Sequence, residues 1–233
     1  MIAKPIHLAI VAPNQHLALT ARRIALNFPE ETCLIQVAQG DLRDGLEKAK
    51  ELVKSGVDAV ISRGGTATLL AQNLEIPVVE IRVSALDVLR AMRPILGSNQ
   101  KISIIGFPSI FAEIHDLGKL LNMEIEEIVL QSEDEAKLRI TAAYDKGIRC
   151  VVGDTVSVRV AREVGMVGFL IESGEEAIHT ALYQAIQLIQ VQRKEREQTA
   201  LFRAVMDSSR TALLAVDSEG MLTVCNSQAE SLL

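Results

Sequence analysis

Short apolar runs alternate with stretches of helical periodicity along most of this chain, and no other feature constrains its fold as strongly. Ile6–Val11, Val57–Ile61 and Ile102–Ile105 are runs of this kind, each of strand length. Parallel strands covered on both faces have continuous apolar sequences, and crossover helices must connect them. The alternation therefore predicts βαβ units, parallel sheets and an α/β fold.

The composition fits an aliphatic core and limits the possible partners. Of the 233 residues, 48% are hydrophobic but only 3% are aromatic, so Ile, Val, Leu and Ala must fill the core. The formal net charge of -6 does not favour nucleic-acid binding, which needs a basic face. The sequence shows no signal peptide and no apolar run of about 18 residues. We therefore expect a cytoplasmic protein that binds no membrane.

Two segments of the chain repeat the same succession of elements. Val57–Ser62 aligns with Ile148–Gly153, and Ile76–Ile81 aligns with Met166–Ile171. In each case the first strand is followed by a polar turn, a helix and a second strand. Two similar lobes are the natural interpretation, although all βαβ units share this general pattern.

The C-terminal region has a different pattern. Glu175–Gln192 has apolar residues at helical spacing, and the following Arg193–Gln198 is charged on every face. Leu213–Val216 and Leu222–Val224 are short apolar runs joined by Asp217–Gly220, which predicts a hairpin with glycine at a positive φ. A lone hairpin buries no core, so we expect it to belong to a further domain.

These patterns divide the chain into two predicted regions. Residues 1–193 form a two-lobed domain, with lobe one spanning about 1–97 plus part of the terminal helix and lobe two spanning about 98–173. Residues 194–233 form a linker and the beginning of another domain. A cleft between the two lobes is the expected place for a ligand.

The best candidate site lies where a predicted strand ends and a helix begins, at Ser62-Arg63-Gly64-Gly65-Thr66. In open α/β sheets, ligands bind beyond the carboxyl ends of the strands. The two glycines allow backbone amides to approach an anion, and the helix N-terminus adds a favourable dipole. Arg63 provides a bidentate donor for a carboxylate or phosphate, and the two hydroxyl groups add polar contacts. The alternative is an ordinary tight turn with a surface arginine.

Other strand-end turns offer matching polar groups. If both lobes direct these turns at one cleft, we expect a small polar ligand to bind between them. The predicted ligand-binding residues outside the arginine turn are Asn14, Gly106, Ser109, Gly153, Asp154 and Thr155.

The sequence lacks recognisable catalytic motifs. It has no G-x-S-x-G elbow, no G-x-x-x-x-G-K-[ST] phosphate loop and no complete G-x-G-x-x-G. Its histidines lack metal-ligand spacing, although His16 and His115 follow strand-end turns and could reach a cleft. Cys33, Cys150 and Cys225 lie far apart, in or beside apolar runs, so we expect reduced cysteines. We predict neither catalysis nor a bound metal or cofactor.

Several of these segments also carry a family resemblance. They are Ile61–Ala67, Ile76–Ile81, Val83–Ala91, Val152–Asp154 and Glu172–Ile178. Together they resemble the N-terminal sensor domain of the propionate catabolism activator family, over roughly residues 6–193. The Ser-Arg-Gly-Gly-Thr run and the Pro-Val-Val-Glu-Ile strand are the most specific parts of the match.

The resemblance implies two Rossmann-like lobes that sense a small organic acid. The best-known family members are thought to respond to 2-methylcitrate, a tricarboxylate made from propionate. Arg63 suits a carboxylate, but a tricarboxylate needs more positive charge, for which Arg82 and Arg159 are candidates. The resemblance therefore implies the class of function and does not fix the ligand.

A second resemblance concerns the C-terminal region, because Phe202–Asn226 is similar to the beginning of a PAS domain. In many family members, PAS is followed by an AAA+ ATPase that acts on sigma-54 RNA polymerase, and then by a DNA-binding helix-turn-helix. The polymerase, ATP and DNA are thus expected partners of attached domains and not of these residues.

Two other functions remain open from the sequence. A two-lobed isomerase or racemase would use one acid/base residue from each lobe, but Cys33 and Cys150 do not follow strand-end turns. A module that binds no ligand would dimerise through the terminal helix. A homodimer or larger homo-oligomer is expected in any case, because the terminal helix and hairpin leave apolar surface to cover.

Overall fold

The first lobe is built on strands that helices cover on both faces. The computed structural model describes residues 4–29, 32–98, 101–111, 114 and 117–232. Leu8, Ala9, Ile10 and Val11 point alternately to opposite faces of the first sheet, and all are fully buried. The sheet is parallel, in the order β2-β1-β3-β4. The elements run β1 (Ile6–Ala12), α1 (Gln15–Ala25), β2 (Cys33–Gln39), α2 (Leu42–Lys54), β3 (Ala59–Ser62), α3 (Gly64–Asn73) and β4 (Val78–Glu80).

The second lobe repeats this arrangement. Its sheet is again parallel, in the equivalent order β6-β5-β7-β8. The predicted α/β fold with two similar lobes is confirmed, and the aligned segments Val57–Ser62 and Ile148–Gly153 contain the equivalent strands β3 and β7. The chain continues from β4 with α4 (Ala85–Met92), β5 (Ile102–Gly106), α5 (Pro108–Phe111), α6 (Leu117–Leu121), β6 (Ile125–Val129), α7 (Glu133–Asp145), β7 (Cys150–Gly153), α8 (Thr155–Val164), β8 (Val167–Leu170) and α9 (Glu175–Ser208).

Each lobe is covered in part by a helix that follows the last strand of the other lobe. Val88 and Met92 of α4 lie in one buried cluster with Ile104 of β5, so α4 packs on the second sheet. The first turns of α9 instead contact the segment after α1, where the Phe28 ring lies 6.1 Å from that of Tyr183. The predicted lobe one, about residues 1–97, includes α4. A helical pattern alone does not show which sheet a helix covers.

The C-terminal part of the chain forms a separate compact unit, residues 187–233. The division falls within α9, whereas the sequence predicted it after residue 193. Beyond α9 this unit contains β9 (Leu214–Val216), β10 (Leu222–Cys225) and α10 (Ser227–Glu230). The strands β9 and β10 pair antiparallel, and Gly220 between them has a φ of 81°, so the predicted hairpin is confirmed.

The buried side chain of Asn226 holds this unit together. Its Oδ1 accepts hydrogen bonds from the Leu213 and Ala229 amides at 2.9 and 3.1 Å. Its Nδ2 donates to the Met206 carbonyl at 2.9 Å, which links the hairpin to the end of α9. Among the described helices, including the long α9, none combines the length and apolar character that crossing a bilayer requires.

A single buried carboxylate joins the two crossovers between the lobes. The chain passes from lobe one to lobe two just before α4, and it returns just before α9. Asp87, which is 2% exposed, accepts from the Ser84 amide at 3.0 Å and from the Ser84 hydroxyl at 2.8 Å. Its second oxygen accepts from the Gly174 amide at 3.2 Å, on the returning crossover, and from Arg90 at 3.3 Å. Asp87 therefore ties the two hinge segments to each other.

We expect Asp87→Ala to lower the free energy of unfolding by at least about 2 kcal/mol, because it leaves buried donors without an acceptor. Urea unfolding followed by circular dichroism measures the change. Asp44→Ala is the matched control, since Asp44 makes an exposed ion pair with Lys48 on α2, worth at most about 1 kcal/mol. Equal losses in the two variants would contradict the role assigned to Asp87.

Candidate functional site

The carboxyl ends of parallel strands from both lobes meet at one cleft. Turns that follow β1, β2, β3, β5 and β7 line it, and they leave a cavity of only about 30 Å³, so the two lobes are closed on each other in this structure. Of the residues predicted to bind a ligand, those that line the cleft are Asn14, Arg63, Gly64, Gly65, Thr66, Asp154 and Thr155.

Arg63 has the most unusual environment in the cleft. It directly follows β3 and occupies the N-cap position of α3, but its side chain makes no capping hydrogen bond. The residue is only 5% exposed, and neither Nη1 nor Nη2 has a hydrogen-bond partner among the described residues. Buried polar groups are nearly always paired, and a buried unpaired charge is costly. The guanidinium is therefore available to a partner from outside the chain.

The charges around Arg63 are acidic. Burial lowers the pKa of its guanidinium, and the charges of Asp154, Asp87, Glu80 and Glu172 oppose that shift. An arginine side chain keeps its proton in such surroundings. The cleft thus contains a positive charge that is removed from water but has no direct hydrogen-bonded counter-ion.

Asp154 faces the cleft from the second lobe. It is the N-cap of α8, where its Oδ1 accepts from the Ser157 amide at 2.8 Å. Its Oδ2 is buried and has no hydrogen-bond partner among the described residues. Burial raises the pKa of this carboxyl group, although the Ser157 amide and hydroxyl, the charge of Arg63 and the Phe107 amide oppose the shift. Each lobe therefore contributes one buried, incompletely paired ionisable group to the same cleft.

Several polar groups of the predicted arginine turn already have partners within the protein. The Ser62 hydroxyl donates to the Val11 carbonyl at 2.7 Å and so ties the end of β3 to β1. The Gly64 amide donates to Glu80 Oε1 at 3.2 Å, and its φ of 55° suits glycine. Thr66 Oγ1 accepts from an amide at 3.0 Å. These bonds hold the turn in place, and ligand binding by its residues stays a prediction.

The remaining predicted residues lie in or beside the same layer. Asn14 caps α1 and donates from Nδ2 to Thr155 Oγ1 of the other lobe at 3.4 Å. Gly106 and Gly153 lie at strand ends beneath the cleft, where a Cβ atom would come within 2.3 Å of Ile110 Cδ1 or Ile105 O, respectively. They permit close packing there. The Ser109 side chain, like all of His115, lies outside the described residues.

Three further contacts across the cleft were not predicted. Phe107 of lobe two packs directly on Gly65, where a Cβ would be 2.3 Å from the ring. Leu42, with a φ of 41°, packs against the buried cluster of the second lobe. Its strained backbone is a feature that often marks functional sites. Arg159 Nη1 donates to Asp41 Oδ2 at 3.2 Å, which closes the rim between the lobes.

The positions of the cysteines argue against a racemase-like acid/base pair. Cys33 and Cys150 are the first residues of β2 and β7, at the sheet edges opposite the cleft. Burial, followed by the charge of Asp58, raises the pKa of the Cys33 thiol to about 11, so few thiolates form near neutral pH. Among histidines, His16 lies at an exposed position 3.6 Å from Glu172.

The fold and the cleft define a two-lobed regulatory sensing domain. The chain belongs to the propionate catabolism activator family, whose sensor model (PrpR_N) matches residues 30–195. It is similar to an NtrC family transcriptional regulator from Clostridium acetobutylicum, with a TM-score of 0.71 and 26% identity over 81% of this chain and 98% of that one. The transcription regulator CcpA of Lactococcus lactis matches with a TM-score of 0.47 and 12% identity, over 80% of this chain and 92% of that one.

The Gly65–Phe107 contact predicts coupling between the lobes. We expect Gly65→Ala to lower the free energy of unfolding by about 1–3 kcal/mol, because the new methyl group overlaps the Phe107 ring. Phe107→Leu removes the two ring atoms that lie nearest to the new methyl group, so in that background Gly65→Ala should cost at least about 1 kcal/mol less. Urea unfolding of the wild type, both single variants and the double variant measures this coupling. Strictly additive effects would show that the two residues do not touch.

Proposed function

We propose that this chain senses a small organic acid that binds in the cleft between the lobes. The observation that carries the proposal is Arg63, a buried guanidinium with two unpaired nitrogens at the carboxyl ends of parallel strands. A carboxylate is the natural ligand for such a group, because its two oxygens match the planar fork of the guanidinium. The NtrC family match supports a role in transcription control.

Binding would act by favouring the closed arrangement of the lobes. A ligand shifts a conformational equilibrium only by its difference in affinity for the two states. A ligand whose carboxylate contacts Arg63 while another part of it contacts the second lobe interacts with both lobes at once only when they are closed. The Asp41–Arg159 pair and the Asn14–Thr155 hydrogen bond join the lobes at the same cleft.

Helix α9 is the proposed output element. It begins at the returning crossover, and its residues 175–186 belong to the unit that holds the cleft, whereas 187–208 belong to the C-terminal unit. Closure that moves the crossover would therefore also move the start of this helix. We propose that the change passes through residues 194–233 to attached domains.

The attached domains are inferred from family membership and from the resemblance of Phe202–Asn226 to the beginning of a PAS domain. The hairpin and Asn226 belong, in this proposal, to the start of a PAS domain. An AAA+ ATPase acting on sigma-54 RNA polymerase and a DNA-binding domain complete the activator outside this chain. The C-terminal unit exposes Leu201, Phe202, Val205 and Val216. Such apolar side chains suit a homodimer, which we propose as the working form.

The decisive variant is Arg63→Met combined with Asp154→Asn, which neutralises both buried charges. Replacing buried charges by neutral groups of similar volume is often neutral or stabilising. Asn also remains a good helix cap. We therefore expect the double variant to unfold with a free energy at least equal to that of the wild type. It should nevertheless lose all stabilisation by small carboxylates.

Thermal unfolding with a panel of acids tests this expectation. An effector at about one hundred times its dissociation constant should stabilise the wild type by about 2.7 kcal/mol. Propionate, lactate, succinate, citrate and 2-methylcitrate form the panel, and Arg162→Met is the control for removing an exposed arginine. A double variant that is destabilised by more than about 2 kcal/mol would assign the two charges a structural role. Turnover of any panel member would favour the enzyme alternative.

A further inference from the structure

Helix α9 is exposed over most of its C-terminal half. Every residue from 190 to 205 is exposed or half-buried, so the described residues do not cover this stretch. Its exposed apolar side chains include Val191, Phe202 and Val205, which are 55%, 53% and 61% accessible. Helices in proteins are stabilised mainly by the packing of one face and only weakly by helix propensity. This stretch of α9 therefore needs a partner to pack against.

The apolar residues of this stretch have the spacing of a coiled coil. From residue 188 onwards, the positions on one side of the helix are alternately three and four residues apart, which is the a and d spacing of a heptad repeat. We call this side the seam. Two apolar layers at each end of the seam enclose two polar layers in the middle. The seam consists of Leu188, Val191, Glu195, Gln198, Phe202 and Val205.

Most charged residues of this stretch avoid the seam. At the heptad positions e and g, which flank the seam, Leu201 and Met206 extend the apolar surface, and Lys194 is the single charged residue. A seam bordered by uncharged side chains suits another helix of the same kind, because neither like charges nor buried ions oppose the contact. Five of the seven charged residues between 187 and 208 lie at the outward positions b, c and f, namely Arg193, Arg196, Glu197, Arg203 and Asp207.

The two remaining charges are complementary in a parallel pair of identical helices. Glu195 occupies an a position, and Lys194 occupies the g position just before it. In a parallel coiled coil, the partner's preceding g residue helps to line the hole that receives an a side chain. Each Glu195 then lies beside the partner's Lys194, and two-fold symmetry forms this ion pair twice. An antiparallel pair built on the same seam places Glu195 opposite the partner's Gln198 and loses both ion pairs.

We infer that two copies of this chain pair through α9 as a parallel, in-register coiled coil whose seam runs from Leu188 to Val205. This inference rests on the homodimer of the proposed function, to which it adds the face, the direction and the register of pairing. The polar layers at Glu195 and Gln198 weaken the seam but favour a single register, as polar residues in a coiled-coil core do. Parallel pairing places residues 209–233 of the two copies at the same end of the coiled coil.

Two pairs of matched variants test the seam by sedimentation equilibrium on the whole chain. Glu195→Leu replaces a polar layer by an apolar one, so we expect the dimer dissociation constant to fall by at least about 10-fold. Glu197→Leu makes the same change on the outward face and should alter the constant by no more than about threefold. Phe202→Ala should raise the constant by at least about 10-fold, whereas Arg203→Ala on the outward face should not. Circular dichroism checks that each variant remains folded.

Chemical crosslinking determines the direction of pairing. Val205→Cys in a Cys225→Ser background leaves the buried Cys33 and Cys150 as the other thiols. In the parallel arrangement the two introduced thiols share one layer, so a short bismaleimide reagent should join the two copies. In the antiparallel arrangement residue 205 lies opposite the partner's Leu188, and the two introduced thiols are about 25 Å apart along the helix axis. That distance is too long for the reagent.

The outcomes separate this inference from the proposed function. A dimer that responds to neither Glu195→Leu nor Phe202→Ala, or one that is not crosslinked through position 205, would overturn the parallel coiled coil and leave a homodimer formed in another way. A chain that is monomeric at every concentration tested would overturn the coiled coil and the homodimer together. Binding of acids in the cleft is measured independently by thermal unfolding, so the sensing function stands or fails by that experiment.

Discussion

The arrangement of this molecule depends on the burial of the Arg63 guanidinium, whose two terminal nitrogens have no hydrogen-bond partner among the described residues. The hydroxyl of Ser62 fixes the end of β3 against β1, and Glu80 accepts the amide that follows Arg63. The backbone is thus satisfied while the side chain is not. Surrounding carboxylates favour the charged guanidinium without forming a direct bond to its unpaired nitrogens. In the proposed function, this strong donor group is the one that binds the ligand's carboxylate.

The second constraint is that the cleft belongs to both lobes. Asp154 comes from the second sheet, and its capping bond with Ser157 orients one oxygen into the helix and leaves the other without a partner. Rim contacts such as Arg159 with Asp41 are partly exposed, with side chains 46% and 30% accessible. Pairs of this kind contribute about 0–1 kcal/mol. In the proposed mechanism, such weak rim contacts let a ligand shift the equilibrium between open and closed lobes.

The contact between the two crossover segments is buried, whereas the contacts at the rim of the cleft are partly exposed. Asp87 is buried and accepts hydrogen bonds from both crossovers, so it holds the two segments at a constant separation. In the proposed mechanism, the lobes move about this joint and change the cleft while the crossovers remain together. The start of α9 follows one of these crossovers directly. The same proposal therefore connects binding at the strand ends to α9.

Local patterns were enough to predict the strands, the repeated lobes, the hairpin and the placement of Arg63 and Asp154 at strand ends. Each of these depends on neighbours in sequence or on a rule about parallel sheets. The covering of the second sheet by α4 depends instead on the path of the crossover. The contacts of Phe107 with Gly65 and of Asp87 with Gly174 depend on how distant segments approach each other. Sequence periodicity carries no information about such distances.

The most direct test is a high-resolution crystal structure of the whole chain grown with its tightest-binding acid. The proposed function predicts density for one small molecule between the lobes, with its carboxylate paired to the Arg63 guanidinium. A guanidinium bonded directly to the Asp154 carboxylate, with the acid located elsewhere on the protein, would contradict it.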